Sequence, residues 1–135
     1  MILFVDDEKR EMESYRMELE LELPDSGVVF KRNIDDALSF FEDNQNQIEL
    51  LILDIMMPQG KAFESAPDNG LKTGIHFYRK VRTITPAMPI IIFTNISDEN
   101  IEKAFSNDEK CWLMKKENYY ADELVEKVKE ILALQ

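Results

Sequence analysis

Four short apolar runs in this chain each end on a polar residue. Ile2-Leu3-Phe4-Val5 meets Asp6-Asp7, Leu50-Leu51-Ile52-Leu53 meets Asp54, Ile90-Ile91-Ile92-Phe93 meets Thr94, and Trp112-Leu113-Met114 meets Lys115. Apolar runs of this length, bounded by breaks, read as strands buried on both faces of a parallel sheet. Between them lie stretches with apolar residues at helical spacing. The pattern predicts helices over 8–22, with Met12, Tyr15 and Leu19 inward, and over 35–43 behind an Asn33 N-cap. Further helices are predicted over 74–82, over 98–106 behind a Ser97 N-cap, and over about 119–133. Val28 to Lys31 completes the set as a short second strand. Five β-α units in strict alternation imply an α/β fold with helices on both faces of the sheet.

Residues 59–73 interrupt this rhythm, being too polar and too marked by Gly and Pro for a helix or strand. The 135 residues suit a single domain spanning 1–135, and 44% hydrophobic content is that of a globular chain rather than a disordered one. A net charge of −11 argues against nucleic-acid and anionic-membrane partners. No stretch approaches the roughly twenty apolar residues of a membrane span. The one cysteine, Cys111, excludes an internal disulfide and reads as a packed thiol. His76 has no second His or Cys nearby in sequence and is not expected to hold a metal.

In an open parallel sheet, ligands bind beyond the carboxyl ends of the strands. The strand-end residues therefore converge on one site. Asp54 can act as a nucleophile toward phosphorus and form an acyl phosphate. Asp6 and Asp7 add two more carboxylates, and their mutual repulsion calls for a hard, oxygen-ligated cation such as Mg²⁺. Thr94 can donate a hydrogen bond to a phosphoryl oxygen, and Lys115 can pair with another. Taken singly, each feature has an ordinary structural explanation: an N-cap, a strand terminus, a solvated lysine. Their joint occurrence in this order is what makes the site specific.

With these residues in register, the chain resembles the receiver domain of two-component response regulators. The resemblance rests on Phe4-Val5-Asp6-Asp7-Glu8, Asp54-Ile55-Met56-Met57-Pro58, Ile92-Phe93-Thr94 and Trp112-Leu113-Met114-Lys115. It implies a flavodoxin-like sheet of order 2-1-3-4-5, as in the stand-alone chemotaxis regulators. It further implies phosphorylation of Asp54 by a histidine kinase or phosphotransfer protein. Mg²⁺ would be held by Asp7, Asp54 and the backbone carbonyl of Met56, with Asp6 acting through water. Thr94 and Trp112 fall where the family carries its switch hydroxyl and switch aromatic. A cytoplasmic protein that signals to a downstream protein effector, through the face of the fourth helix, fifth strand and last helix, is the expected outcome. Such a protein is not an enzyme beyond its own phosphoryl transfer and slow dephosphorylation. A degenerate receiver, binding partners without phosphorylation, is the alternative; a phosphatase or flavoprotein lacks its usual motifs here. Three departures stand out: Lys116 where a proline usually follows the site lysine, Asn95 where a small residue usually follows the threonine, and the lengthened 59–73 loop.

Overall fold

The computed structural model describes residues 1–58, 60–63, 72–96 and 99–134. In chain order the elements are β1 (Ile2–Val5), α1 (Lys9–Glu22), β2 (Val28–Lys31), α2 (Ile34–Asn44) and β3 (Leu50–Leu53). There follow α3 (Thr73–Ile84), β4 (Ile90–Thr94), α4 (Glu99–Phe105), β5 (Cys111–Lys115), a 3-10 turn (Lys116–Asn118) and α5 (Ala121–Ala133). The five strands are parallel in the order β2-β1-β3-β4-β5, as the resemblance implied.

Because side chains alternate across a strand, each central strand feeds two cores. Leu3, Val5, Leu51, Leu53, Ile90 and Ile92 pack with Ile34, Phe41, Phe77, Val81 and Phe105 from α2, α3 and α4. Ile2, Phe4, Leu50, Ile52, Ile91 and Phe93 pack with Met12 and Leu19 of α1 and with Leu124, Val128 and Ile131 of α5. β1, β3 and β4 are buried throughout, which is why their sequences run without polar interruption. β2 and β5 are the edges and are only half-buried at most positions.

The Asn33 side chain caps α2, accepting from the Asp36 N–H at 2.9 Å. The expected Ser97 cap lies outside the described residues. The last helix begins at Ala121 rather than 119, because residues 116–118 form the 3-10 turn instead. The start of the lengthened loop is tied to α2. The Asp35 carboxylate accepts from the N–H groups of Lys61 and Ala62, both at 2.8 Å. Gly60 turns there at φ 61°, and a Cβ on it would meet Asp35 at 2.7 Å. Residues 64–71 of the loop, with Leu71, lie outside the described residues.

At the amino ends of β4 and β5 a half-buried ion pair joins three elements. Asp108 accepts from Arg82 Nε at 2.6 Å and from the Tyr78 hydroxyl at 2.5 Å. Arg82 also donates to the carbonyls of Met88 (2.6 Å) and Lys110 (2.9 Å). Burial pushes the Asp108 carboxyl upward, but the bonds from Arg82, Tyr78 and the Lys110 N–H outweigh it and hold the group below the usual carboxylate range. Replacing Asp108 with Ala leaves Arg82 partly buried without its counter-charge. It is expected to lower unfolding stability by about 2–3 kcal/mol in urea titrations near neutral pH. A depressed pKa stabilises the fold above the unfolded value and is lost as pH falls through the folded value, so the difference from wild type should narrow below about pH 3.9.

Candidate phosphoryl-accepting site

The carboxyl ends of β1 and β3 place Asp6 and Asp54 side by side, both buried. Asp6 N–H donates to Lys31 O at 3.1 Å and Asp54 N–H to Val5 O at 3.1 Å, so the ladder hydrogen bonds carry both residues one step past their strands. Each carboxylate is then aimed by a local backbone donor: Glu8 N–H to Asp6 Oδ1 at 2.9 Å, and Ile55 N–H to Asp54 Oδ1 at 2.8 Å. Asp7 and Glu8 follow on the exposed rim. Carboxylate oxygens of Asp6, Asp7, Glu8 and Asp54 all lie within 4.8 Å of one another. Asp7, Glu8 and Asp54 border a cavity of about 640 Å³ to which Met56, Thr94, Asn95, Ile96 and Lys116 also contribute.

The lysine of this site is Lys116, and this corrects the expectation of Lys115. The Lys116 ammonium, only 4% exposed, stands 2.8 Å from Asp6 Oδ2 and 3.2 Å from both Asp54 Oδ2 and Glu8 Oε1. Lys115 lies on the other side of the strand, paired at 2.9 Å with Glu117 and 41% exposed. The cause is register. Ile91 sits opposite Trp112, Phe93 opposite Met114 and Thr94 opposite Lys115. Met114 therefore shares the Phe93 face, and the next side chain on that face is Lys116.

The same alternation corrects Trp112. It packs against the α1/α5 core, away from Thr94. The apolar β5 residue on the Thr94 face is Leu113, and the two line a smaller cavity of about 260 Å³ with Ile96, Lys115 and Tyr119. Thr94 itself is buried, with its hydroxyl accepting from Ile96 N–H at 3.3 Å. Sequence reasoning thus missed Lys116 and treated Glu8 only as part of a motif. The Lys115-Lys116 doublet was the one sequence signal that the choice was open. No peptide bond among the described residues is cis, including that after Lys116.

Gly74, the first-turn glycine of α3, is a structural support of the site. Its N–H donates to Ile55 O at 2.8 Å, and a Cβ would come within 2.1 Å of the Asp54 carbonyl oxygen. Only glycine lets α3 approach the backbone that carries Asp54 this closely.

One ammonium among four carboxylates leaves the site strongly acidic. Burial, and then the charge of Asp54, push the Asp6 carboxyl up from 3.8 to about 6 despite Lys116. Burial, with Asp54 and Glu8 beyond, also raises Asp7. Burial disfavours a charged Lys116, but Asp6 and Asp54 beside it reverse the effect and hold it well above the ordinary lysine range. Asp6 Oδ2 is fully buried and faces the Lys116 ammonium at 2.8 Å. Clustered hard oxygens with unrelieved repulsion fit a divalent cation such as Mg²⁺. Asp6, Asp7 and Asp54 are the residues that would hold it.

The sequence matches the model of the response regulator receiver domain over residues 2–129, and the chain belongs to that family. Its fold is similar to that of a CheY-like receiver domain protein from Methanospirillum hungatei JF-1, at 23% identity and a TM-score of 0.77, covering 98% of this chain and 92% of that one. A receiver domain protein from Clostridium thermocellum is similar at 24% identity and a TM-score of 0.73, covering 98% and 93%. Vibrio cholerae chemotaxis protein CheY4 is similar at 18% identity and a TM-score of 0.68, covering 96% of each chain. Among curated proteins, none shows significant sequence similarity.

An acid whose folded pKa is raised weakens the fold as pH climbs from its unfolded to its folded value, here from 3.8 to about 6. Asp6→Asn removes that penalty. It is expected to raise stability without divalent ions at pH 7 by up to about 3 kcal/mol, and to weaken Mg²⁺ binding. Thermal unfolding with and without Mg²⁺ checks both; a variant less stable than wild type in chelator contradicts the electrostatic account.

Proposed function

We propose that this receiver accepts a phosphoryl group on Asp54 from the phosphohistidine of a kinase or phosphotransfer protein. The observation that carries this reading is the Lys116 ammonium 3.2 Å from Asp54 on the floor of an open acidic cavity. An Asp54 oxygen attacks phosphorus, the P–N bond to the donor imidazole breaks, and the ring nitrogen keeps the electron pair. Lys116 and the Thr94 hydroxyl meet the charge on the phosphoryl oxygens. A bound Mg²⁺ would supply further charge neutralisation, with Asp6, Asp7, Asp54 and the Met56 carbonyl as its protein ligands. Transfer exchanges the phosphoramidate of the donor for an acyl phosphate, so positioning and charge stabilisation suffice and no further acid-base group is needed.

The resulting signal is a change of surface. A Thr94 hydroxyl drawn to a phosphoryl oxygen gives up the Ile96 N–H, which frees the segment leading into α4. Leu113, rather than Trp112, borders that movement. The output face is formed by α4, β5 and α5, and a downstream protein reads it. No helix among the described residues is long and apolar enough to cross a membrane. A cytoplasmic signalling protein is the reading that fits.

Beryllofluoride with Mg²⁺ mimics the acyl phosphate and separates the two lysines. Lys116→Ala is expected to lose beryllofluoride binding and labelling by a small phosphodonor, as Asp54→Ala loses the label. Lys115→Ala should keep both near wild type. Mass-spectrometric mapping of the trapped acyl phosphate identifies the acceptor; label retained in Asp54→Ala, or lost equally in both lysine variants, overturns the assignment.

Lifetime follows from the lining of the cavity. Met56 and Ile96 are apolar residues of that lining, and neither side chain can orient a water for in-line attack. Dephosphorylation is expected to be slow in wild type and several-fold faster in Met56→Asn or Ile96→Glu at fixed Mg²⁺. Unchanged decay in both variants removes the apolar lining as the cause.

A further inference from the structure

Lys116 is the first residue beyond β5, so no sheet ladder holds it. Two side chains from other elements grip the turn that carries it. On one side, the Tyr15 hydroxyl of α1 donates to the carbonyl oxygens of Tyr119 (2.7 Å) and, more weakly, of Lys116 (3.4 Å). On the other, the Asn95 side-chain oxygen accepts from the Glu117 N–H at 3.1 Å. Neither residue belongs to the carboxylate cluster.

We propose that Tyr15 and Asn95 are positioning residues for Lys116, bracketing the 116–119 turn so that its ammonium reaches Asp54. The proposal rests on the reading of Lys116 as the partner of the incoming phosphoryl group. A lysine side chain has four rotatable bonds, and its backbone must be fixed before its ammonium can be aimed. The Tyr15 ring is itself fixed, edge-on to Phe93 with centroids 5.0 Å apart. Burial raises the Tyr15 phenol above its ordinary pKa, so the hydroxyl remains a donor across the physiological range. Asn95 is exposed and its bond competes with water, which makes it the weaker half of the bracket.

Tyr15→Phe deletes one oxygen and keeps the ring; Asn95→Ala deletes the acceptor, and Asn95→Asp restores one. Two readouts are compared in the full chain. The first is binding of Mg²⁺ alone against binding of beryllofluoride with Mg²⁺. The second, independent of phosphoryl chemistry, is labelling of Lys116 by an amine-reactive reagent, with Lys115 as internal reference. Tyr15→Phe is expected to weaken beryllofluoride binding by about tenfold, leave Mg²⁺ affinity nearly unchanged, and raise labelling of Lys116 relative to Lys115. Asn95→Ala should act in the same direction to a smaller extent; Asn95→Asp, which keeps the acceptor but adds charge beside the acidic cavity, is compared by labelling alone and should label Lys116 as wild type does. A Tyr15→Phe/Asn95→Ala double variant with wild-type labelling and wild-type beryllofluoride affinity overturns the bracket. So does increased labelling with no loss of beryllofluoride affinity. If wild type binds no beryllofluoride, the phosphoacceptor reading falls, and the labelling alone decides whether the bracket places Lys116.

Discussion

The alternation of side chains along buried parallel strands governs this molecule at every level. Because β1, β3 and β4 are covered on both faces, their odd and even positions feed separate cores, one under α2, α3 and α4 and the other under α1 and α5. A slip of one residue would exchange the two sets wholesale, which fixes the register firmly. The same alternation extends past the strand ends. It carries Asp6 beyond Phe4, Asp54 beyond Ile52 and Lys116 beyond Met114, all on the α1/α5 face. The site continues one row of the core, with charge where the apolar row stops.

That placement makes the site electrostatically uneasy. Asp6 and Asp54 are buried together, with Asp7 and Glu8 at the rim and a single buried ammonium among them. The fold tolerates the arrangement because the rest of the core is large and apolar, and because local N–H donors from Glu8 and Ile55 satisfy one oxygen of each buried carboxylate. A site that holds excess negative charge gains most when a divalent cation arrives. In the proposed function, a bound cation would leave the site ready for a phosphoryl group, whose oxygens would meet the Lys116 ammonium. The same repulsion that weakens the fold would favour a bound cation.

Several residues outside the cluster matter through geometry alone. Gly74 lets α3 lie against the Asp54 backbone, and its N–H holds the Ile55 carbonyl. Tyr15 and Asn95 grip the turn after β5. Asn95 was a departure from the family pattern in sequence; in the fold its side chain accepts the N–H of Glu117, the residue that follows the site lysine. The substitution and the backbone donor belong together.

The sequence by itself determined the α/β class, the five β-α units, the core faces of the helices and the convergence of Asp6, Asp7, Asp54 and Thr94 on one rim. These follow from hydrophobic periodicity and from the rule that strand ends meet at one edge of a parallel sheet. It also placed Asn33 at the start of α2, where a short polar side chain satisfies a free N–H locally. What it could not decide was the choice between Lys115 and Lys116, or the direction of Trp112. β5 is an edge strand whose half-buried residues are apolar on both faces, so Cys111 to Met114 show no alternation from which parity could be read. Only pairing with β4, Phe93 opposite Met114, fixed it. Tertiary structure alone also joined Tyr15 and Asn95 to the 116–119 turn, since contacts 104 and 22 residues apart leave no local signature in the chain.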